Sequence, residues 1–319
     1  MNTIHMLAGI PGSGKSEYAK ECCKRERAVL VATDAIRERL FGSESRQKNT
    51  YRIFDEAFAE IEQALGSGRN VVFDATNVAR DRRIQFLKRF SSFPVECHVC
   101  ITPYELARER VQARKRKIEE KVLEKYAKNF EFPLLAEGFN KLHIVHTPAD
   151  AGIERAALER LLERNPGHDE LFAYLRRSPY FSVMLGYDQE NPHHSKTLSE
   201  HTHAVLEYVH TFYEGEHLFE MQLAALFHDT GKPLCKVWKP NRGYYSYFGH
   251  EHVSAIIVCH VLKELGYGDD FILHVVNMVS FHMEILHGGD AGASKIYHLL
   301  GDRMLAELYF FAEADTFAK

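Results

Sequence analysis

One short stretch near the start of the chain limits the possible folds more than any other feature. Residues 9–16 have the sequence Gly-Ile-Pro-Gly-Ser-Gly-Lys-Ser, between four mostly apolar residues at 4–7 and a segment from Glu17 with helical character. This is the pattern G-x-x-x-x-G-K-[ST], in which the backbone N–H groups of a loop surround phosphate at the N-terminus of a helix. Such a loop needs a strand before it and a helix after it. The pattern therefore predicts an α/β domain that binds a nucleoside triphosphate.

The same stretch supplies the side chains that would contact the nucleotide. Lys15 would reach the β- and γ-phosphates, and the hydroxyl of Ser16 would bind Mg²⁺. A chance turn rich in glycine and serine is the alternative, but the strand, helix, lysine and serine all stand in register here. The residues predicted to bind the triphosphate from this loop are Gly9, Pro11, Gly12, Ser13, Gly14, Lys15 and Ser16.

Length and composition exclude several classes of protein. A chain of 319 residues is long enough for two domains, and 45% hydrophobic with 26% charged residues is typical of a soluble globular protein. The net charge of −4 gives no overall basic field, so any contact with nucleic acid must be local. No apolar run reaches the roughly 18 residues of a membrane span, and six cysteines in a chain of this size form no disulfide framework. We expect a cytoplasmic protein that does not contact membranes.

The order of apolar and amphipathic segments divides the chain into two halves. Short apolar runs alternate with longer amphipathic segments up to residue 150, which is typical of a parallel sheet with crossover helices. Predicted strands cover residues 4–7, 28–32, 70–73, 94–101 and 142–145, and predicted helices cover 52–66, 80–90, 103–115 and 119–130. Later in the chain the predicted helices are 168–176, 198–213, 219–230, 250–265, 269–282 and 302–317. We expect an α/β domain at 1–150, a linker helix at 151–165 that could belong to either side, and an all-α domain at 166–319.

Charged residues follow two of the predicted strands in the first half. Asp34 follows the second strand, where an acid near a phosphate-binding loop can accept a proton from an attacking hydroxyl, although an aspartate also favours a helix N-cap. Arg37, one helical turn along, would face the same cleft and could bind an anion on the acceptor. Asp74 ends the third strand, where it could support Mg²⁺ or a lid arginine.

The charged stretch at 103–128 has two interpretations. A solvated helix with salt bridges is the common one. Arg110 and Arg114 are four residues apart, so on a helix their guanidinium groups would repel each other unless an anion lay between them. The second interpretation is therefore a lid over the triphosphate.

With these residues identified, positions 3–146 resemble the 5′-hydroxyl polynucleotide kinases of bacteriophage RNA-repair systems. The resemblance is carried by G-x-P-G-S-G-K-S, by D-x-x-R from Asp34, by D-x-T-N-x-x-x-x-R-R from Asp74, and by R-x-x-x-R in the lid. It implies that Asp34 is the general base and that Arg37 binds the phosphate 3′ of the attacked nucleoside. It also implies that Arg110 and Arg114 clamp the phosphates of ATP, with Arg108 as a rival, and that Asp74 supports the site. The implied catalytic residues are Lys15, Asp34, Arg37 and Arg114. Small-molecule kinases and zeta-type toxins share much of this pattern.

Most of the 19 histidines lie after residue 190, which indicates a second chemistry. His228 and Asp229 end an apolar helical run, and both side chains could reach one ion lying over that face. A histidine from the preceding helix and an aspartate from a later one would complete a site of nitrogen and oxygen ligands. That mixture suits Mn²⁺, Mg²⁺, Fe or Ni²⁺ better than a thiolate-rich zinc site does.

Residues 190–319 resemble the HD-domain phosphohydrolases, whose motif is H…HD…D. The resemblance implies His201, His228, Asp229 and Asp315 as ligands of a divalent transition metal, and the additional ligands of two-metal members would be His250 and His282. The implied reaction is hydrolysis of a phosphate ester by a metal-activated water. Asn191-Pro192-His193-His194 also resembles HD domains attached to tRNA nucleotidyltransferases, which act on 2′,3′-cyclic and 2′-phosphates. On this basis His194 is a candidate to contact the substrate phosphate, and a loop histidine with no role is the alternative. Lys232 is a second candidate to hold that phosphate.

The two halves together indicate an enzyme that heals broken RNA ends. Cleavage by many ribonucleases leaves a 5′-hydroxyl and a 2′,3′-cyclic phosphate, whereas a ligase needs a 5′-phosphate and a 3′-hydroxyl. A 5′-kinase joined to a cyclic phosphodiesterase and phosphatase would repair both ends, so we expect RNA ends, or DNA ends, as substrates and a separate RNA ligase as a partner. The alternative is a small-molecule or nucleoside kinase joined to an HD nucleotide phosphatase.

Overall fold

The computed structural model describes residues 2–42, 50–114, 118–193 and 195–319. Within them the chain divides into two compact units. The first contains the described residues up to Tyr126 together with Pro133–Thr147, and the second contains Ala127–Phe132 and Pro148–Lys319. The helix expected near 151–165 is α7, Arg155–Glu163 in the structure, and it lies in the second unit.

The core of the first unit is a sheet of five strands in the order β2-β3-β1-β4-β5, and every pair is parallel. The strands are β1 (Ile4–Ala8), β2 (Val29–Ala32), β3 (Val71–Asp74), β4 (Val95–Ile101) and β5 (Lys141–His146). The helices up to residue 147 are α1 (Lys15–Glu26), α2 (Thr33–Phe41), α3 (Thr50–Gly66), α4 (Arg80–Arg89), α5 (Tyr104–Ala113) and α6 (Glu120–Lys128), followed by a 3-10 turn at Leu135–Glu137. The predicted parallel α/β domain is confirmed.

The position of β1 explains why the phosphate-binding loop stands at the middle of the sheet. All five residues of β1 are buried, and Leu7 packs with Ala19 and Cys22 of α1 and with Val72 of β3. Parallel strands bring their carboxyl ends to one edge, where ligands bind in open α/β sheets. The loop after β1, Asp34 after β2 and Asp74 at the end of β3 therefore lie at the same edge.

The second unit is built mainly from helices. They are α7, α8 (His168–Leu175), α9 (Pro179–Ser182), α10 (Leu198–Phe212), α11 (Leu218–Phe227), α12 (Lys232–Cys235), α13 (His250–Glu264) and α14 (Asp269–Phe317). The segment α14 has non-helical backbone at Gly289 and Gly301, so the two helices predicted at 269–282 and 302–317 are its first and last parts. Among the described helices, none combines the length and the hydropathy that a bilayer crossing demands.

The second unit departs from an all-helical architecture in one place. Strands β6 (Val237–Lys239) and β7 (Tyr244–Ser246) form an antiparallel hairpin, with Trp238 opposite Tyr245. The turn between them contains Gly243 with φ of 73°, a conformation that favours glycine. A run of β-branched and aromatic residues on both sides of a Pro-Asn-Arg-Gly turn is a hairpin signal, but strands of three residues are too short for period-two alternation to be visible.

A buried ion pair fixes the segment that follows β3. The guanidinium of Arg83 donates to both carboxylate oxygens of Glu137 at 2.7 Å, and both side chains are fully buried. The same guanidinium donates to the carbonyl oxygens of Asn77 and Val78, at 2.8 and 3.0 Å. Glu137 also accepts from the backbone N–H of Leu134. The pair thus connects the start of α4 to the 3-10 turn and holds the backbone just after Asp74.

Replacing Glu137 with alanine should lower the free energy of unfolding of the first unit by about 3–5 kcal/mol, because the buried guanidinium of Arg83 would lose its counter-ion. Pulse proteolysis of the full chain in increasing urea measures this. The matched control is Glu62→Ala, since the carboxylate of Glu62 pairs with Arg89 at the surface. There the expected loss is below about 1 kcal/mol. Equal losses in the two variants would contradict the structural role of the buried pair.

Candidate active sites

The phosphate-binding loop has the backbone conformation that its glycines allow. Gly12 and Gly14 have φ of 84° and 88°. A Cβ on Gly12 would lie 2.3 Å from the carbonyl oxygen of Ala107, so a side chain there would collide with the backbone of α5. Gly14 is the N-cap residue of α1, and the backbone N–H groups at the start of that helix are therefore available to an anion.

Lys15 is folded onto its own loop. Its ammonium group donates to the carbonyl oxygens of Gly9 and Ile10, at 2.8 and 2.7 Å, and to the hydroxyl of Ser13 at 3.3 Å. Burial lowers the pKa of Lys15, since a charged ammonium loses its hydration there. A phosphate group in the loop would give this cation a stronger partner than the neutral carbonyls do.

Ser16 and Asp74 lie together beside the loop, where the Ser16 hydroxyl acts to lower the pKa of the Asp74 carboxyl. Asp74 is 9% exposed, and burial raises the pKa of its carboxyl while the charge of Lys15 lowers it. Oxygen ligands of this kind, a hydroxyl next to a carboxylate, are what Mg²⁺ prefers. The two side chains fit the role predicted for them.

Asp34 and Arg37 form an ion pair in the first turns of α2. The side chain of Asp34 is 57% exposed and that of Arg37 is 15% exposed. Within the part of the chain that the structure describes, Nε of Arg37 is buried without a hydrogen-bond partner. The base and the anion-binding residue predicted from sequence are therefore adjacent, and the guanidinium has unused donor capacity.

The three arginines of the predicted lid differ in their surroundings. Arg110 reaches the loop, with Nη1 3.4 Å from the carbonyl oxygen of Gly12. Arg108 instead pairs with Glu105 at 2.5 Å and with Glu120 at 3.1 Å. The geometry thus favours Arg110 over its rival as a phosphate ligand, and binding itself stays a prediction.

Arg114 departs from the predicted helix. α5 ends at Ala113, and Arg114 is its C-cap residue with extended backbone, φ −73° and ψ 154°. It therefore does not lie one helical turn above Arg110, as the helix predicted over 103–115 would require. Its charge nevertheless lowers the pKa values of Lys15 and Asp74, so it lies near the loop.

In the second unit, four elements bring together all six residues that the histidine pattern predicts as ligands. Helix α10 supplies one residue, the turn after α11 supplies two, α13 supplies its first residue and α14 supplies two. They are His201, His228, Asp229, His250, His282 and Asp315, and each is at most 6% exposed.

Asp229 is the centre of this group. Its Oδ2 lies 3.4 Å from Nε2 of His201 and 3.2 Å from Nε2 of His228. Its Oδ1 lies 3.1 Å from Nε2 of His250. Asp315 contributes Oδ1, which is 3.0 Å from Nε2 of His201 and 3.8 Å from Nε2 of His228. The carboxylate of Asp229 therefore joins two groups of ligands, one on each oxygen.

The imidazole rings are oriented as in metal sites. Nδ1 of His228, His250 and His282 lies 2.8–2.9 Å from a backbone carbonyl oxygen, and a carbonyl only accepts, so each Nδ1 carries the proton. Nε2 is then a lone pair aimed inward. The Nε2 atoms of His250 and His282 are only 3.1 Å apart, and those of His201 and His228 are 3.3 Å apart. Lone pairs facing each other at these distances repel unless a proton or a metal ion lies between them, so the residues fit a metal.

The electrostatics of the group also favour positive charge. Burial works against ionisation of Asp315, but hydrogen bonding to His201 and the charge of His228 hold its pKa below the usual range. Burial lowers the pKa of His201, but its bonds to Asp229 and Asp315 outweigh burial and raise that pKa to about 9. Burial and the neighbouring His250 lower the pKa of His282 to about 3. The ionised carboxylates thus stabilise a positive charge on His201, and a metal ion could take the place of that proton.

Lys232 lies at the edge of this group and has partners that the sequence did not indicate. Its Nζ is 2.7 Å from Oδ2 of Asp229 and donates to Oε1 of Gln189 at 2.8 Å. The hydroxyl of Tyr247 donates to the carbonyl oxygen of Gln189. Sequence reasoning missed Gln189 and Tyr247, because a single glutamine in a loop and a single tyrosine after a short strand carry no pattern of their own. The prediction for His194 lies outside the described residues.

Two protein-family models match separate parts of the chain. Residues 4–133 match the AAA domain family, and residues 198–319 match the HD domain family. A curated relative, the CC-adding tRNA nucleotidyltransferase of Thermus thermophilus, is 29% identical over 140 residues, which cover 44% of this chain and 32% of the relative. The chain thus spans about a third of the length of the curated relative it matches.

Similar solved structures cover parts of the chain. One is from the Pnkp1/Rnl/Hen1 RNA repair complex, with 26% identity, covering 40% of this chain and 44% of that chain at a TM-score of 0.38. Another is a putative kinase from Chloroflexus aurantiacus, with 17% identity, covering 52% of this chain and 99% of that chain at a TM-score of 0.40. From the family matches and the geometry of its two sites, this chain joins a kinase-like P-loop domain of the AAA family to an HD domain.

Proposed function

We propose that this chain heals broken RNA by phosphorylating 5′-hydroxyl ends with ATP and by removing 2′,3′-cyclic or 2′-phosphates from the opposite ends. The observation that carries the proposal is that one chain contains two sets of polar residues, the phosphate-binding loop with the adjacent Asp34–Arg37 pair and the buried group of histidines and aspartates. One set suits addition of a phosphate to a hydroxyl, and the other suits hydrolysis of a phosphate ester. The two reactions together convert the ends left by many ribonucleases into the ends that a separate RNA ligase requires.

In the kinase reaction, Asp34 would accept the proton of the attacking hydroxyl. Arg37 now pairs with that carboxylate. A phosphate on the acceptor, 3′ of the attacked nucleoside, would compete for the guanidinium and release Asp34 to act as base. An acceptor without that phosphate would leave the pair closed. This is a physical reason to expect a polynucleotide, or at least a nucleoside 3′-phosphate, as acceptor.

The donor side would be neutralised by cations of the loop and the lid. Lys15 would leave its carbonyl partners for the β- and γ-phosphates, and Arg110 and Arg114 would bind the same phosphates from above. Ser16 and Asp74 would bind Mg²⁺, which offsets the negative charge of the transferring phosphoryl group.

The hydrolytic reaction would use two divalent ions. His201, His228, Asp315 and Oδ2 of Asp229 would bind one, and His250, His282 and Oδ1 of Asp229 would bind the other. Mn²⁺, Ni²⁺ or Fe suits such nitrogen and oxygen ligands. Bound ions of this kind activate water and offset negative charge that develops on the phosphate.

RNA is the substrate class that the curated relative supports. The curated relative of this chain is a tRNA nucleotidyltransferase, at 29% identity over 140 residues. Lys232, next to Asp229, would bind the substrate phosphate, and we propose the same for His194. A chain that phosphorylates nucleosides or small metabolites but no oligonucleotide would instead be the small-molecule kinase of the alternative hypothesis. DNA oligonucleotides of the same sequence test whether the acceptor must be RNA.

Asp34→Ala should reduce the rate of 5′-phosphorylation about 10²–10⁴-fold without changing ATP affinity, because only the proton acceptor is lost. The measurement is transfer of labelled phosphate to a 5′-hydroxyl oligonucleotide at saturating ATP. Glu38→Ala is the matched control, since Glu38 is an exposed acid one turn further along α2. A rate loss in Glu38→Ala as large as in Asp34→Ala would argue against a base role.

Asp229→Ala should abolish hydrolysis of RNA ending in 2′,3′-cyclic phosphate while leaving 5′-phosphorylation intact. The physical reason is that its two oxygens are the link between both groups of ligands. Asp290→Ala, an exposed aspartate of α14, is the control and should retain both activities. If Asp229→Ala kept its hydrolytic rate, the proposed reaction would be assigned to the wrong residues.

Metal content tests the two-ion assignment. Elemental analysis of protein reconstituted with Mn²⁺ or Ni²⁺, in the absence of Mg²⁺ and nucleotide, should give two ions per HD site. A variant carrying both His250→Ala and His282→Ala should retain one, because His201, His228 and Asp315 are unchanged. His287→Ala, an exposed histidine of α14, is the control. One ion in the wild type, or two in the double variant, would contradict the assignment.

A further inference from the structure

The hairpin β6–β7 is inserted directly between residues of the HD site. Lys232 precedes it by a few residues, and His250 follows it immediately after Phe248 and Gly249. Its position is fixed by backbone contacts, because the N–H of Tyr245 donates to the carbonyl oxygen of Glu190 at 3.3 Å and the carbonyl oxygen of Tyr245 accepts from Asn191 at 3.0 Å. The hairpin is therefore an ordered projection at the site.

The ring of Phe248 is the most unusual feature of this projection. It is 65% exposed, although it stands only two residues before the predicted ligand His250. Two residues span at most about 7 Å of chain, so the ring cannot lie far from the site. An exposed aromatic ring beside a catalytic centre leaves apolar surface in water that a bound partner could cover.

Two cations lie next to this ring. Nζ of Lys239 is 5.5 Å from the ring centroid, and the guanidinium carbon of Arg242 is 6.0 Å from it. Lys236, at the base of the hairpin, pairs with Glu190. In the described part of the chain, by contrast, neither Lys239 nor Arg242 has a carboxylate within ion-pairing distance. Among the described residues, the ring is thus accompanied by positive charge that no carboxylate neutralises.

An exposed ring with uncompensated cations is suited to single-stranded nucleic acid. Bases stack on such rings regardless of sequence, and the cations bind backbone phosphates. The overall net charge of −4 makes this a local positive surface in an acidic protein, as a specific contact with nucleic acid requires here. A protein partner of ordinary composition would not need two unpaired cations over one ring.

We propose that Phe248, Lys239 and Arg242 form a platform that binds the single-stranded nucleotides preceding the end on which the HD site acts. This rests on the proposed function, and it specifies the substrate as an oligonucleotide rather than a mononucleotide. A base would stack on Phe248 while Lys239 and Arg242 bind the adjacent phosphates. The platform would increase affinity for a strand and take no part in the chemistry.

The kinetic test distinguishes binding of the strand from binding of its terminal phosphate. Phe248→Ala should raise KM for an oligonucleotide ending in 2′,3′-cyclic phosphate by roughly five- to a hundredfold, with kcat unchanged, because one stacked base is lost. KM for a mononucleoside 2′,3′-cyclic phosphate should stay the same. Phe212→Ala, which removes an exposed phenylalanine of α10, is the matched control and should alter neither value. Equal KM changes on both substrates, or none on the oligonucleotide, would overturn the platform.

The charge test uses salt. The measured quantity is the affinity for a single-stranded oligonucleotide at increasing salt concentration. Replacing both Lys239 and Arg242 with alanine should make the slope of log affinity against log salt shallower by about 1.4, since each cation that neutralises a single-strand phosphate contributes roughly 0.7. Arg303→Ala, which removes an exposed arginine paired with Glu216, is the control and should leave the slope unchanged. An unchanged slope in the double variant would exclude phosphate contacts at this position.

A direct binding measurement is independent of hydrolysis. Trp238 is the single tryptophan of the chain, is 49% exposed and precedes Lys239, so its fluorescence reports on the hairpin alone. A single-stranded oligonucleotide with an ordinary 3′-hydroxyl should change its emission saturably, with at least about fivefold weaker binding in Phe248→Ala. If this occurs without any hydrolysis of RNA ends, the platform stands and the proposed hydrolytic function falls. A change in Trp238 emission that depends on protein concentration and not on RNA would mean that two copies of the chain contact each other through the hairpin. That result would overturn the platform.

Discussion

The interaction on which the second unit depends is the approach of three imidazole nitrogens to one buried carboxylate. Nε2 of His201, His228 and His250 lies within 3.4 Å of an oxygen of Asp229, and the nitrogens of His250 and His282 are 3.1 Å apart. Burying these groups is unfavourable by itself, because ionised and polar side chains lose hydration there. Their orientation is nevertheless fixed by bonds from Nδ1 to backbone carbonyls. Binding of cations would therefore stabilise the fold and create the reactive centre in one event.

The first unit is predicted to bind anions, and its charged groups are also held in place before any ligand binds. Its sheet gathers the phosphate-binding loop, Asp34 and Asp74 at one edge, and the loop currently satisfies the ammonium of Lys15 with carbonyl oxygens. The pair between Arg83 and Glu137 contributes no group to the chemistry, but it fixes the backbone after Asp74. In both units, then, the charged side chains with predicted functions are held in place by buried hydrogen bonds of their neighbours.

Much of this could be predicted from sequence, because the decisive patterns are local. The loop at 9–16 fixes a strand and a helix around itself, and alternation of apolar and amphipathic segments gives the parallel sheet. His228 and Asp229 are adjacent in sequence, and His250 and His282 lie in segments predicted to be helical. The family resemblance predicted that six metal-ligand candidates lie together, and the structure brings the same six side chains together.

What could not be predicted depends on contacts between distant residues. The bond between Arg83 and Glu137 spans 54 positions and has no local signal. Gln189 reaches Lys232 across 43 positions, and only the fold brings them together. The end of α5 at Ala113 moved Arg114 off the predicted helical face, since helix ends depend on capping that composition does not reveal. The strands of the hairpin are too short to show a recognisable strand pattern in the sequence.

The most direct test of the account is the sealing of an RNA broken by a ribonuclease. Fragments carrying a 5′-hydroxyl and a 2′,3′-cyclic phosphate would be incubated with the protein, ATP, Mg²⁺ and Mn²⁺, and then with an RNA ligase that accepts only a 5′-phosphate and a 3′-hydroxyl. The account predicts full-length RNA with the wild-type chain, and with Asp34→Ala and Asp229→Ala mixed together, but not with either variant alone. Sealing by a single variant, or no sealing by the wild type while small molecules are phosphorylated, would contradict it.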